Sequence, residues 1–457
     1  MRAKNEKTEF IKLAFTIALP IMVQNLIGTL IGTADTVMLG FVSQDAMSAS
    51  ALANQVYTVF LLSVNGMATG GSVMAAQYWG KGDTDTIDKV VAITMRFNLA
   101  ISLLFFVASL FFPGTVMRIF TSEEAIINEG INYLRIISGG FLFSGFTLTY
   151  TALQRSVERV KMPSATYIAG LVINVILNAT FIFGLLGAPK LGLVGVSLGT
   201  LIAEAVQFVI CVCHSVWVKS VKFRISYIFA KTGVLMRDFL KISMPAFIND
   251  VVWSIAFSMY SVILGHLGSD AVAANSIANT ALDIGAVMCR GFANATAIIV
   301  GKALGENEIE QAKKYGRWMV RLTLVFAILG GGAMLLLKPV VNMIYADKLT
   351  KEALRYAGIM LMMQAYHLTG EGLNTCWICG CFRGGGDTKF GMITDCLCMW
   401  LVALPLVAIA AFVIKLPVEW VYFVLCLDEF EKMLPVYLHY RKFTWARNIT
   451  RDSEELA

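Results

Sequence analysis

The sequence predicts an all-α polytopic membrane protein, with twelve transmembrane helices in two pseudo-twofold-related six-helix bundles. The composition is the first reason, because 57% of the residues are hydrophobic and only 15% are charged. Apolar runs of about 20 residues, the length that crosses a bilayer, recur along the chain between short polar turns. The run at 17–40 also has a counterpart at 243–265, which indicates an internal repeat. This composition excludes a soluble protein with an ordinary surface.

The apolar runs place the twelve helices along the chain. They lie near 12–40, 52–79, 91–112, 130–153, 164–187, 191–217, 240–266, 275–303, 315–338, 353–382, 390–414 and 417–440. Lys and Arg near the helix ends fall mostly on one side, which predicts that both termini are cytoplasmic. We therefore divide the chain into an amino-terminal lobe at 10–217, a cytoplasmic linker at 218–239, a carboxy-terminal lobe at 240–441 and a cytoplasmic tail at 442–457. The basic linker, rich in aromatic residues, is expected to include an amphipathic helix on the membrane surface.

The repeat relates the two lobes residue by residue. At a constant offset of 225 residues, Pro20 meets Pro245 and Gly40 meets Gly265. An even number of helices per lobe inserts both lobes in the same orientation, as in parallel repeats. Two matched bundles can rock about a central cavity, which favours a carrier over a channel.

Asp35 is the first candidate functional residue. On a helix at about 100° per residue it shares a face with Gln24 and two glycines, within an otherwise apolar run. A carboxylate at membrane depth is costly and normally marks a pathway. We expect Asp35 to lie in the outer part of the bilayer. The alternative is a structural Asp bound to a neighbouring helix.

Polar residues of the fifth and sixth helices are candidates to meet Asp35. Asn174 and Asn178 are four residues apart on one helix face. Their amides could complete a sodium shell with Asp35, or orient a proton site. Interhelical hydrogen bonding alone is the other explanation. Glu204, in the sixth helix, is a secondary candidate.

The carboxy-terminal lobe carries more ionisable residues at membrane depth. With Gln24, the substrate-cavity candidates are Asp250, Asp283, His367 and Glu371. Acids lining a cavity would attract cationic substrates or carry coupling protons. Mutual pairing is the alternative, for example Arg290 with Asp283 or with Asp250.

No cofactor is expected besides a coupling ion, H⁺ or Na⁺. The nine cysteines lie mostly inside apolar runs, where cysteine commonly packs as a small buried residue. The net charge of +6 comes from short clusters between apolar runs, so we expect no nucleic-acid partner. A metal set of Asp35, Asn174 and Asn178 is expected only if the coupling ion is sodium.

Several motifs together resemble the multidrug and toxic compound extrusion (MATE) transporters over about residues 10–445. They are Leu19-Pro20 followed by Gln24, the run ADTVMLG at 34–40, the 225-residue duplication, NVILN at 174–178 and RGGGDTK at 383–389. The resemblance favours the bacterial branches. It implies a secondary active antiporter that exports organic cations, drugs or metabolites in exchange for protons or sodium by alternating access.

The resemblance also implies roles for single residues. In one branch the acid matched by Asp35 works with two polar residues matched by Asn174 and Asn178, and its titration bends the first helix near its proline. Some members have an acid at the second polar position, where this chain has Asn178. Another branch has an acid in the seventh helix eight residues past the proline, where this chain has Trp253.

Other function classes remain as alternatives. The main one is a lipid-linked oligosaccharide flippase of the same superfamily, which should carry a cluster of basic residues at membrane depth for pyrophosphate. Of the basic residues, Arg290 is the one expected to lie clearly deep. An intramembrane enzyme would need a catalytic set that the sequence lacks, so we expect no enzymatic activity. The expected setting is a monomer in the lipid bilayer of the bacterial plasma (inner) membrane, with cationic or amphipathic small molecules as substrates.

Overall fold

The computed structural model describes residues 2–39, 44–218, 221–230, 232–345, 349–452 and 455. Within these ranges it describes the backbone alone at residues 2–5, 29–38, 44–47, 186, 342, 344 and 345. Throughout these ranges the chain forms helices joined by turns, and no β-strand occurs in them. The predicted all-α polytopic fold is therefore confirmed.

The first half of the chain forms long helices that follow the predicted order. They are α1 (Arg2–Leu39), α2 (Gln44–Lys81), α3 (Thr84–Phe111), the short α4 (Pro113–Arg118), α5 (Glu124–Ser156), α6 (Lys161–Phe183) and α7 (Leu193–Trp217). Gly184 ends α6 with a positive φ of 71°, a left-handed conformation that glycine adopts without strain.

The second half repeats this order after a one-turn helix. Its helices are α8 (Ile225–Ile228), α9 (Gly233–His266), α10 (Ser269–Gly305), α11 (Ile309–Tyr345), α12 (Lys351–Thr375), α13 (Thr388–Leu397), α14 (Leu404–Ala408), α15 (Val418–Leu425) and α16 (Asp428–Lys442). Wider π-helical turns continue α12 over Cys376–Phe382, and they flank α14 over Cys398–Ala403 and Ile409–Val413. Such turns occur often at functional sites.

Ten helices of the described residues are long and apolar enough to cross a membrane. The predicted tenth and twelfth spans are not among these ten, and they correspond to α12 with its π-helical end and to α15 with α16. Their lower hydropathy follows from the polar residues they carry, which include His367 and Glu371 in α12 and Asp428 in α16.

The chain forms two compact units whose boundaries lie inside helices. The carboxy unit comprises Met1–Met22 and Ile248–Thr450, and the amino unit comprises Val23–Phe247 and Arg451–Ala457. One boundary follows Pro20 by two residues in α1, and the other follows Pro245 by two residues in α9. A proline inside a helix removes one backbone hydrogen bond and weakens the helix locally. The division into lobes at 10–217 and 240–441 stays a prediction.

The core of the amino unit is an aromatic cluster between α2, α3 and α5. The rings of Phe60 and Phe141 are 5.0 Å apart and meet edge to face, and both side chains are fully buried. Close approaches at glycines bring other helices together. A Cβ on Gly66 would lie 2.7 Å from the Cα of Phe247, which is closer than two carbon atoms can approach. Glycine at position 66 is therefore required for α2 and α9 to pack this closely.

The linker is fastened to α3 by polar contacts. Asp88 accepts a hydrogen bond from the backbone N–H of Lys222 at 2.8 Å and pairs with Arg224 at 2.8 Å. Tyr227 donates to Asp85 at 2.7 Å. Helix α8 has four residues, too few for the expected amphipathic surface helix, and the linker from Gly233 onward belongs to α9.

Candidate functional site

The amide pair of α6 is buried and hydrogen bonded. Asn178 Nδ2 donates to Asn174 Oδ1 at 3.2 Å, and Asn174 Nδ2 donates to Thr200 Oγ1 of α7 at 3.1 Å. The two Asn side chains are almost fully buried. The structure thus extends the predicted pair by the hydroxyl of Thr200 on the next helix.

Two glycines let α6 and α7 approach closely enough for these bonds. A Cβ on Gly199 would collide with Asn178 Oδ1, and a Cβ on Gly170 would collide with the amide of Gln207. Small residues are typical where membrane helices pack through polar contacts. The α6–α7 interface therefore holds these amide groups in fixed positions. Amide oxygens are a ligand type that suits a hard cation.

Asp35 itself cannot be placed relative to this pair. The backbone at position 35 belongs to α1, and the side chain of Asp35 lies outside the described residues. Its role in coupling stays a prediction.

Gln24 of α1 uses both ends of its amide within the amino unit. Its Nε2 donates to Ser164 Oγ at 2.9 Å, and its Oε1 accepts from Arg155 Nη1 at 2.8 Å. The side chain is buried. In this arrangement Gln24 links α1 to the ends of α5 and α6, and its place in a substrate cavity stays a prediction.

A continuous polar network joins four acids of the carboxy unit, Asp250, Asp395, Glu429 and Asp428. At one end Asp250 pairs with Arg383 at 2.7 Å. The neighbouring Asn249 accepts a hydrogen bond from Arg383 at 3.4 Å and donates one to Asp395 at 2.9 Å. Lys432 continues the network by pairing with Asp395 at 3.0 Å. Asp250 is therefore paired with Arg383, and not with Arg290, the partner named in the pairing alternative.

Lys432 is the centre of the network. No role was predicted for this residue from the sequence. It is 3% exposed and also pairs with Glu429 at 2.8 Å, one helical turn away on α16. Asn374 of α12 donates to the same carboxylate at 2.9 Å. The signal that could have found Lys432 is a lysine inside an apolar segment, three residues after an acid.

His367 lies at the other end of the network. Its Nδ1 is 3.4 Å from Asp428 Oδ1 and 3.4 Å from the backbone oxygen of Cys426. Ligand-type atoms of His367, Asp428 and Glu429 lie within 4.8 Å of one another. Because Lys432 and Asn374 already contact the Glu429 carboxylate, ion pairing and hydrogen bonding account for this cluster without a metal.

Asp283 and Glu371 share one guanidinium. Arg290 contacts Asp283 at 3.3 Å and Glu371 at 3.2 Å, so the Arg290–Asp283 pairing that was given as the alternative is present in the structure. The second oxygen of Glu371 is buried and accepts no hydrogen bond from the described residues. Two carboxylates, those of Asp283 and Glu371, therefore face one guanidinium, which leaves an excess of negative charge in this group.

A family model decides what kind of protein carries these sites. The MatE model matches the chain twice, at residues 20–180 and 245–409. Each match begins at one of the two equivalent prolines, so the repeat read from the sequence coincides with the repeat of the family. The chain belongs to the MatE family. It is a multi-pass membrane transporter, and the MATE resemblance of its motifs is confirmed.

Curated MatE relatives cover most of this chain at low identity. An uncharacterized transporter of Bacillus subtilis, YisQ, is 21% identical over 94% of each chain. YoeA of the same organism, a probable multidrug resistance protein, is 24% identical over 89% of this chain and 88% of its own. NorM of Pasteurella multocida, also a probable multidrug resistance protein, is 24% identical and covers 85% of this chain and 84% of its own.

Solved structures share the fold of this MatE chain. An outward-facing multidrug resistance MATE transporter of the MOP superfamily superposes with a TM-score of 0.86 at 18% identity, covering 95% of this chain and 96% of the other. A MOP superfamily transporter from Pyrococcus furiosus, described as having a binding pocket of reverse polarity, gives the same TM-score, identity and coverage. At this identity the likeness establishes the two-lobe bundle fold.

Proposed function

We propose that this protein is a secondary active antiporter that exports organic cations, drugs or metabolites in exchange for protons or sodium by alternating access. The observation that carries the proposal is the MatE match in both halves of the chain, together with relatives named as probable multidrug resistance proteins. The membrane is the bacterial plasma membrane, both termini are cytoplasmic and the working unit is a monomer. Neither an enzymatic activity nor a bound cofactor is part of the proposal.

The charge of the carboxy unit supports a cationic substrate. Four carboxylates there, at positions 250, 395, 428 and 429, face two fixed cations and one imidazole. The Glu371–Arg290–Asp283 group adds a second excess of acid. An excess of negative charge at low dielectric attracts organic cations and repels anions.

Coupling is assigned to Asp35 with the amides of Asn174 and Asn178. In one state of the cycle Asp35 takes up a proton or a sodium ion, and the amide oxygens orient or coordinate it. The amino unit then repacks and releases the substrate cation. The hydrogen bonds among Asn174, Asn178 and Thr200 support this proposal because they hold the amides in a fixed arrangement.

The flippase alternative loses support from the state of the basic residues. Lys432 is buried, whereas the side chains of Arg383 and Arg290 are 12% and 40% exposed. Each of the three is already paired with a carboxylate. Such pairs leave little positive charge for a pyrophosphate.

The test is export of a fluorescent organic cation from proteoliposomes. A proton gradient and a sodium gradient are imposed separately on wild type and on Asp35→Asn. We expect export with one of the two gradients and its loss in Asp35→Asn. The control is Glu124→Gln, since Glu124 is exposed and pairs with Arg118 near the end of α4. Robust gradient-driven export by Asp35→Asn would disprove the coupling assignment.

A further inference from the structure

Glu204 is a carboxyl group in the middle of a membrane-spanning helix. It follows Leu193 by 11 residues and precedes Trp217 by 13 residues in α7, the span Leu193–Trp217. At a rise of about 1.5 Å per residue it lies roughly 16 Å from one end of the helix and 20 Å from the other. Its side chain is therefore far from both headgroup regions, and the residue is 7% exposed.

Helices α2 and α5 enclose the carboxyl group with neutral groups. Its Oε1 accepts a hydrogen bond from the Tyr57 hydroxyl of α2 at 3.1 Å, and that hydroxyl is 3.5 Å from Ser144 Oγ of α5. Its Oε2 is buried and accepts no hydrogen bond from the described residues. The space for Oε2 exists because position 140 of α5 is glycine, where a Cβ would collide with it.

The absence of a cationic partner distinguishes Glu204 from the other buried acids. Every other buried acid of the described residues has a basic side chain within 4 Å, whereas Glu204 has none. The paired acids are Asp88, Glu371, Asp387, Asp395, Asp428 and Glu429. An unpaired buried carboxylate costs several kcal/mol, so Glu204 is held as the neutral acid in this arrangement.

The titratable groups around Glu204 are few. From α2 it faces Tyr57, and from α5 it faces Gly140 and Ser144, which do not titrate. Tyr167 of α6 is a further titratable group in the neighbourhood of Tyr57. On α7 itself, Cys211 and His214 lie about two and three turns further along, and His214 is bonded to Tyr150. The Asp35 side chain of α1 is outside the described residues.

We propose that Glu204 is a second proton-binding carboxyl of the amino unit, ionised when water or the substrate cation reaches Oε2 and reprotonated by a proton from water, as the substrate cation leaves, before the site closes. This proposal rests on the proposed antiport function. When the site opens, the O–H bond of the acid breaks, its electron pair stays on the carboxylate, and the proton passes to water. The carboxylate then stabilises the substrate cation that replaces the proton. Tyr57 keeps donating its hydroxyl hydrogen throughout.

Infrared difference spectroscopy on the purified full-length protein tests the proton site directly. We expect a band of a protonated carboxyl group that is present in wild type and absent in Glu204→Gln. In Tyr57→Phe the band should shift, because one hydrogen bond to the carboxyl is lost. Glu124→Gln should leave it unchanged, since Glu124 is exposed. If wild type and Glu204→Gln give the same carboxyl bands, the proposal is overturned. Should Glu204→Gln fail to fold, an unshifted band in Tyr57→Phe overturns it equally.

Proton release on substrate binding tests the role in transport. A fluorescent organic cation is added to the purified protein, and released protons are counted with a pH indicator. We expect wild type to release about one proton more per bound cation than Glu204→Gln, while Asp35→Asn keeps the release due to Glu204. Equal release from wild type and Glu204→Gln would overturn the proposal. If wild type shows no gradient-driven export, the antiport function fails by itself, and the infrared band still decides whether Glu204 holds a proton.

Discussion

Replacing Lys432 by methionine should strongly destabilise the carboxy unit. Lys432 is 3% exposed and pairs with Asp395 at 3.0 Å and with Glu429 at 2.8 Å. Methionine fits the same space and removes the charge, which leaves two buried carboxylates without a cation within 4 Å. Breaking a buried ion pair from one side typically costs about 3–5 kcal/mol of the free energy of unfolding. For a unit of this size we expect a fall in the melting temperature of roughly 10 °C.

The assay is thermal unfolding of detergent-solubilised protein, followed by a thiol-reactive dye that reports the buried cysteines. Lys442→Met is the matched control, because Lys442 is exposed near the end of the same helix. The triple variant Lys432→Met, Asp395→Asn, Glu429→Gln should recover most of the lost stability, since no unpaired charge remains. A melting temperature of Lys432→Met within about 2 °C of wild type would refute the argument, because such a shift corresponds to the roughly 0.5 kcal/mol that is usual for surface substitutions.

Two further predictions concern the α6–α7 interface and the linker. Gly199→Ala should push the Asn178 side chain aside and reduce coupled export at least tenfold in proteoliposomes. The control is Gly265→Ala, which should leave export unchanged because the space around Gly265 is open. The hydrogen bond to Asp85 raises the pKa of Tyr227, so this contact is complete at neutral pH and is lost as the pH rises through the raised value. Limited proteolysis of the linker should therefore accelerate at alkaline pH in wild type. In Tyr227→Phe, proteolysis should be fast and nearly independent of pH. If both proteins show the same acceleration at alkaline pH, the Tyr227–Asp85 hydrogen bond does not fasten the linker.

Much of the fold follows from patterns that lie within single segments. Apolar length predicts where a helix crosses the membrane, and the periodicity of 3.6 residues predicts which side chains share a face. Asn174 and Asn178 were placed on one face in this way, and they are hydrogen bonded to each other in the structure. The equivalence of Pro20 and Pro245 was visible because a duplication preserves spacing.

The partners of the buried polar groups could not be predicted, because they come from distant parts of the chain. Periodicity orients a side chain on its own helix and carries no information about which helix packs against it. Asp250 is paired with Arg383, 133 residues away, although Arg290 is nearer in sequence. Lys432 was missed for a similar reason, since a lysine in an apolar segment has a meaning only once the acid opposite it is known.

The positions of the two unit boundaries have a consequence for how the protein can be assembled. Residues 1–22 cluster with the carboxy unit, and residues 233–247 cluster with the amino unit. A chain cut in the linker at 218–231 would therefore give two fragments, each lacking a segment of its own unit and carrying one that belongs to the other. Neither fragment should fold alone, whereas coexpression of both should restore a complete transporter.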